Sequence, residues 1–133
     1  MEPRDRVLID THVYVWMIAE PDRLSAAATE VLVDIDTEVF VSAASVWEIA
    51  TKHKNGKWSG AGTILGTFDD QVELHDLSRL PIEFSHARLA GELDWNHRDP
   101  FDRMLAAQSL AEGLPLVTQD ARLHEFQQVR TIW

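Results

Sequence analysis

Val7-Leu8-Ile9-Asp10 is a short apolar run that stops abruptly at an acid. With no polar residue alternating into it, the run is apolar toward both faces, the pattern of a strand covered on both sides in a parallel sheet. Beyond it, residues 13–19 predict a largely buried helix that ends before Pro21, with Asp10 or Thr11 as its cap. Residues 25–34 offer a second helix, with Leu24, Ala28, Val31 and Leu32 in one stripe, and residues 38–41 a second strand ended by Ser42. A helix over 43–54 carries Val46, Ile49, Ala50 and His53 at helical spacing and closes at Asn55-Gly56. One amphipathic helix is expected around Ile64, Leu65, Phe68 and Val72, and a short strand over 78–82 in spite of Pro81. A helix over 85–93, a polar loop over 94–98 and a helix ended by Gly113 follow. The chain closes with a strand over 114–118, a helix over 121–126 and a strand over 129–132. Strands alternate with helices throughout, so the class is α/β, with a mainly parallel central sheet of about four or five strands and helices on both faces.

The 133 residues, 45% of them hydrophobic, suffice for one ordinary core, and a single domain over 1–133 is expected. Cysteine is absent, which removes disulfides and thiolate chemistry. No apolar run is long enough to span a bilayer, and Met1 to Arg6 lacks a signal-peptide pattern, so the expected location is cytoplasmic, with no membrane partner. A net charge of -10 opposes wholesale attraction to nucleic acid, although a few local cations and a bound metal can dominate the field within a cleft. The chain has no Gly-rich phosphate loop after a strand, so no nucleotide cofactor is expected.

In a parallel α/β sheet the functional crevice lies beyond the carboxyl ends of the strands, where strand order reverses. Asp10 ends the first strand, Asp120 lies just past the strand ending at Thr118, and Glu48 sits early in the helix after the second strand. Asp99 and Asp102 open the helix that starts at Pro100. Each acid has a structural explanation: Asp10 and Asp99 as helix caps, Glu48 in a capping box with Ser45, and Asp120 as a turn acid. Their arrival from four segments at one rim is harder to explain structurally. Crowded carboxylates repel, and a hard divalent cation with oxygen ligands resolves the conflict. The six histidines (His12, His53, His75, His86, His97 and His124) are dispersed without paired spacing, which disfavours zinc.

These residues carry a family resemblance. Leu8-Ile9-Asp10-Thr11-His12, Ser42 to Ile49, His97 to Gln108 and Leu116 to Asp120 resemble, in order and separation, the four motifs of PIN-domain ribonucleases, in particular VapC toxins of type II toxin–antitoxin pairs. The resemblance covers essentially the whole chain. It implies a Rossmann-like sheet, an endoribonuclease dependent on Mg²⁺ or Mn²⁺, an RNA substrate, a cognate VapB-like antitoxin and a homodimer. On that likeness Asp10, Glu48, Asp102 and Asp120 are the four acids. Asp10 and Asp102 are then direct metal ligands, and Glu48 and Asp120 bind directly or through water. Asp99 is a cap or an outer-shell acid, and Ser45 and Thr118 orient carboxylates. Lys52, Lys54, Lys57, Arg98 and Arg103 are candidate RNA-binding cations, the lysines equally explained as solvated helix-end charges. Trp16, Trp58 and Trp95 are candidate exposed aromatics for a dimer contact. The competing reading is a degenerate scaffold that binds RNA or protein without catalysis; an unused acid cluster would then be an electrostatic cost with no return.

Overall fold

The computed structural model describes residues 5–133. Its strands are β1 (Asp5–Ile9), β2 (Thr37–Ser42), β3 (Ser78–Leu80), β4 (Leu116–Val117) and β5 (Thr131–Ile132). They form one sheet in the order β3-β2-β1-β4-β5, and every neighbouring pair is parallel. Strand order reverses between β1 and β4, the pair that flanks the expected crevice. β1 alternates as a central strand must. Leu8 enters the core that includes Leu105, Leu116 and Leu123, whereas Val7 and Ile9 enter the opposite core with Val13, Tyr14 and Val72.

Among the described residues eight α-helices cover the faces: α1 (Thr11–Ala19), α2 (Ala26–Val33), α3 (Ala43–Lys54), α4 (Ala61–Gly66), α5 (Phe68–Leu74), α6 (Phe84–Glu92), α7 (Pro100–Glu112) and α8 (Ala121–Glu125). A 3-10 turn, Pro21–Arg23, joins α1 to α2. α7 is bounded as its residues require, with Asp99 as N-cap, Pro100 at the first turn, and Gly113 at φ 66°. A left-handed residue after the last turn is tolerated best by glycine.

The structure departs from the sequence expectations in a few places. The single helix expected around Ile64 to Val72 is two, divided at Thr67, whose hydroxyl bonds back to the Thr63 carbonyl at 3.0 Å. β3 stops at Leu80, because Pro81 offers no N–H to extend a ladder. Trp16, expected to be exposed, is buried at 7%, while Trp47 is the exposed tryptophan at 49%. Trp58 and Trp95 are half-buried; Trp95 stacks flat on Phe126, with ring centroids 4.5 Å apart.

Arg103 is not available to RNA. Its guanidinium donates to four backbone carbonyls: Ala90 at 3.0 Å, Trp95 at 2.6 Å, His97 at 3.0 Å and Leu93 at 2.9 Å. A planar, five-donor fork suits such a cage, and here it gathers the loop between α6 and α7. Arg103→Ala is expected to destabilise the fold by about 2–4 kcal/mol by stranding these carbonyls, and Arg103→Lys to recover only part of that. Urea denaturation followed by tryptophan fluorescence measures both. Full recovery by lysine would contradict the role of the fork.

Candidate active site

Asp10 follows β1 and caps α1: its Oδ1 accepts from the Val13 N–H at 2.8 Å. Its own N–H donates to the Val117 carbonyl at 3.1 Å, which ties the acid to β4. Its Oδ2 accepts a hydrogen bond from the Thr118 hydroxyl. The same hydroxyl accepts from the Asp120 N–H at 3.0 Å, so one threonine joins the first and last acidic segments. Asp120 in turn caps α8 through the Arg122 N–H at 2.8 Å.

Glu48 is 6% exposed on α3, and its Oε2 accepts from Lys52 Nζ at 2.6 Å. The capping box with Ser45, the alternative structural explanation for Glu48, does not form, because the cap of α3 is Ser42. Ser45 Oγ instead accepts from the Thr11 hydroxyl at 2.9 Å. Ser45 therefore steadies the start of α1 and does not orient a carboxylate. Asp99 Oδ1 accepts from the N–H groups of Phe101 and Asp102, at 2.9 and 3.0 Å, and that cap leaves Asp102 pointing off the first turn of α7.

Asp10, Glu48, Asp99, Asp102 and Asp120 line one cavity of about 110 Å³, together with Thr11, His12, Lys52 and Leu105. Lys54, Lys57 and Arg98 are exposed and lie outside its lining. Among the described residues no three His, Asp or Glu side chains form a ready-made cage around an ion. The all-oxygen set in so small a cavity fits a hard cation that keeps several waters, as Mg²⁺ does.

His97, read from sequence as one of six dispersed histidines, belongs to the site. Its Nε2 lies 2.6 Å from Asp102 Oδ2, and Arg122 Nη1 lies 2.9 Å from its Nδ1. Since the guanidinium has only donors, Nδ1 accepts and the ring proton sits on Nε2, directed at Asp102. Nothing in the spacing of His97 and Arg122 marks this bridge, although the position of His97 five residues before an acid was a partial signal. His12 stacks on Trp58 at 5.1 Å, and burial, reinforced by Lys52, lowers its pKa.

Burial is the main force on two of the acids. It pushes the Asp10 carboxyl up to about 6 against the bonds from Thr118 and Val13, with Asp120 and Glu48 adding repulsion. Asp102 also rises to about 6, chiefly by burial, with the His97 bond opposing and Asp99 and Asp120 assisting. The folded protein therefore holds protons that the unfolded chain has released between about pH 4 and 6. Stability from these two acids is present below that window and is lost as pH rises through it. Without divalent ions, the stability of wild type relative to Asp10→Asn/Asp102→Asn is expected to fall between pH 4 and pH 7, as read from urea midpoints. A difference independent of pH would refute this.

The PIN domain family model matches residues 7–129 of the chain. Ribonuclease VapC22 of Mycobacterium tuberculosis is 34% identical over 130 residues, which is 96% of this chain and 98% of that protein. VapBC2 from Rickettsia felis, solved bound to a promoter DNA fragment, superposes with a TM-score of 0.70 at 14% identity, covering 95% of this chain and 96% of that one. VapBC-1 from nontypeable Haemophilus influenzae gives 0.65 at 14% identity over the same shares. With four acidic segments meeting where the sheet reverses, and a full-length ribonuclease relative at this identity, the chain belongs to the PIN-domain family as a VapC-like member.

Proposed function

We propose that the protein is a metal-dependent endoribonuclease that hydrolyses RNA phosphodiester bonds, the toxin of a pair whose cognate VapB-like antitoxin blocks the cleft. The observation that carries this reading is the convergence of carboxylates from β1, α3, α7 and α8 on one small cavity. Likeness to a VapC ribonuclease over nearly the whole of both chains supports it. Among the described residues no helix is long and apolar enough to cross a membrane. The proposal includes a cytoplasmic setting and, as the family resemblance implies, a homodimer.

Asp10 and Asp102 would be the direct ligands of Mg²⁺ or Mn²⁺, Glu48 and Asp120 would hold its waters or a second ion, and Asp99 would stand in the outer sphere. When bound, the ion supplies an acidified water and neutralises charge on the phosphoryl oxygens. The protein's part is orientation and proton transfer. Thr118 fixes Asp10, and the His97 Nε2–H fixes Asp102. A carboxylate oxygen of Glu48 or Asp120 takes the proton of the attacking water. Lys52 Nζ, lining the cavity beside Glu48, brings a positive charge to the phosphodiester. Lys54, Lys57 and Arg98 are exposed and meet flanking phosphates.

Purified protein is expected to cut structured RNA when Mn²⁺ or Mg²⁺ is present and to stop in excess chelator. Asp10→Asn and Asp102→Asn should each lower the rate by roughly 100-fold or more, at or beyond the upper end of what outer-sphere partners cost. Equal cleavage by wild type and Asp102→Asn would overturn the site. Millimolar Mn²⁺ should also raise the melting temperature of wild type and leave Asp10→Asn/Asp102→Asn unmoved, because an ion that binds only the folded state stabilises it. An equal shift in both would place the ion elsewhere.

A further inference from the structure

A second cavity, of about 470 Å³, is lined by Trp95, Asn96, His97, Arg98, Arg122 and Glu125. It adjoins the acid cavity through His97, whose ring bonds Asp102 on one side and Arg122 on the other. Its charge is unusual for a chain of net -10. Among the described arginines, Arg6, Arg23, Arg79 and Arg88 sit in ion pairs, and Arg103 sits in its carbonyl cage. Arg98, Arg122 and Arg130 pair with no carboxylate, and two of these three line this one cavity, against a single acid, Glu125.

Both arginines ride on the turns that carry the site acids. Arg98 directly precedes Asp99, and the Arg122 N–H is bonded to the Asp120 carboxylate. Each turn thus directs an acid into the small cavity and supplies a guanidinium to the larger one. Arg122 spends one Nη1 on His97, which leaves Nε and Nη2 for a fork onto two oxygens of one phosphate. Trp95, clamped by Phe126 at an interplanar angle of 2°, forms a rigid aromatic wall. The volume lies within the range that binds small ligands and suits a single nucleotide.

The geometry points to this cavity as an RNA subsite, in which Arg98 and Arg122 hold the backbone phosphate of a nucleotide flanking the cut bond. This rests on the ribonuclease reading. RNA is favoured over an acidic protein segment because the two cavities adjoin at His97 and share the turns that carry the acids, so a strand held at the acids reaches the arginines next.

The test uses a fluorescein-labelled 12-nucleotide oligouridylate with Mg²⁺. The protein is the full chain carrying Asp10→Asn, which silences cleavage and keeps the Asp102–His97–Arg122 chain intact. Adding Arg98→Gln/Arg122→Gln is expected to weaken binding about tenfold and to lower the slope of log K against log[KCl] by roughly 0.7, the release from one single-strand phosphate. Arg98→Lys/Arg122→Lys should restore the slope with incomplete affinity, which separates loss of charge from loss of the fork. The charge-matched control Arg23→Gln/Arg88→Gln, which breaks two exposed ion pairs, should leave the slope in place. If the Arg98/Arg122 glutamine variant behaves as this control does, the RNA subsite is overturned. If the Asp10→Asn protein binds no oligouridylate at any salt concentration, the subsite is overturned, while the ribonuclease reading stands or falls separately by the metal-dependent cleavage of structured RNA. Circular dichroism of each variant separates these outcomes from misfolding, and Arg98→Gln alone, at an exposed side chain, supplies a second measure of the slope.

Discussion

The hydroxyl of Thr118 binds two segments that lie more than a hundred residues apart in the chain. It donates to the carboxylate of Asp10 and accepts from the backbone of Asp120. The bond to Asp10 depends on β1 and β4 being neighbours in register, as does the bond from the Asp10 N–H to the Val117 carbonyl. That register depends in turn on Leu8 being shared with the core beneath α7 while Val7 and Ile9 are shared with the core beneath α1. A one-residue slip would turn Leu8 to the wrong face and carry Asp10 away from its partners. Packing of the apolar run and placement of the acid are therefore one constraint.

The acids are held at an electrostatic cost. Raising a carboxyl from its ordinary value to about 6 corresponds to roughly 2–3 kcal/mol against ionisation at each of Asp10 and Asp102. That cost is what remains after directed donors, Thr118 at Asp10 and His97 at Asp102, have favoured the ionised forms; the Lys52 ammonium lies against Glu48. Each donor is itself held. His97 is oriented by Arg122, and its loop is gathered by the four carbonyls that Arg103 binds. Removing the charges would relieve the cost, which is why such a cluster argues for a function that uses them.

A similar chain of support runs beneath α7. Gln108 accepts from Ser42, the cap of α3, at 2.5 Å and donates to the Pro81 carbonyl at 3.2 Å. His86, buried in the same network, bonds Glu112 at 3.0 Å. The end of β2, the exit from β3 and the body of α7 are thereby pinned together, and the helices that carry Glu48 and Asp102 keep a fixed relation. A buried polar group is costly unless satisfied, so such a network specifies one arrangement more sharply than apolar packing alone.

What the sequence by itself determined was the alternation of elements and the address of the acids. Apolar runs such as 7–9, the Pro100 start and the Gly113 stop are written in local propensity, which a reader of one segment can recover. Asp10, Glu48, Asp102 and Asp120 were legible because topology sends strand ends and helix starts to one rim. The tertiary structure alone decided the partners. Arg103, taken for an RNA contact, serves carbonyls that become its neighbours only when the α6–α7 loop folds over α7. Ser45 turned from Glu48 to Thr11, Trp16 went inward, and His97 and Arg122 met across 25 residues of chain. A hydrogen bond depends on distances of a few tenths of an ångström between segments that no local pattern relates, and those distances exist only once the sheet has closed.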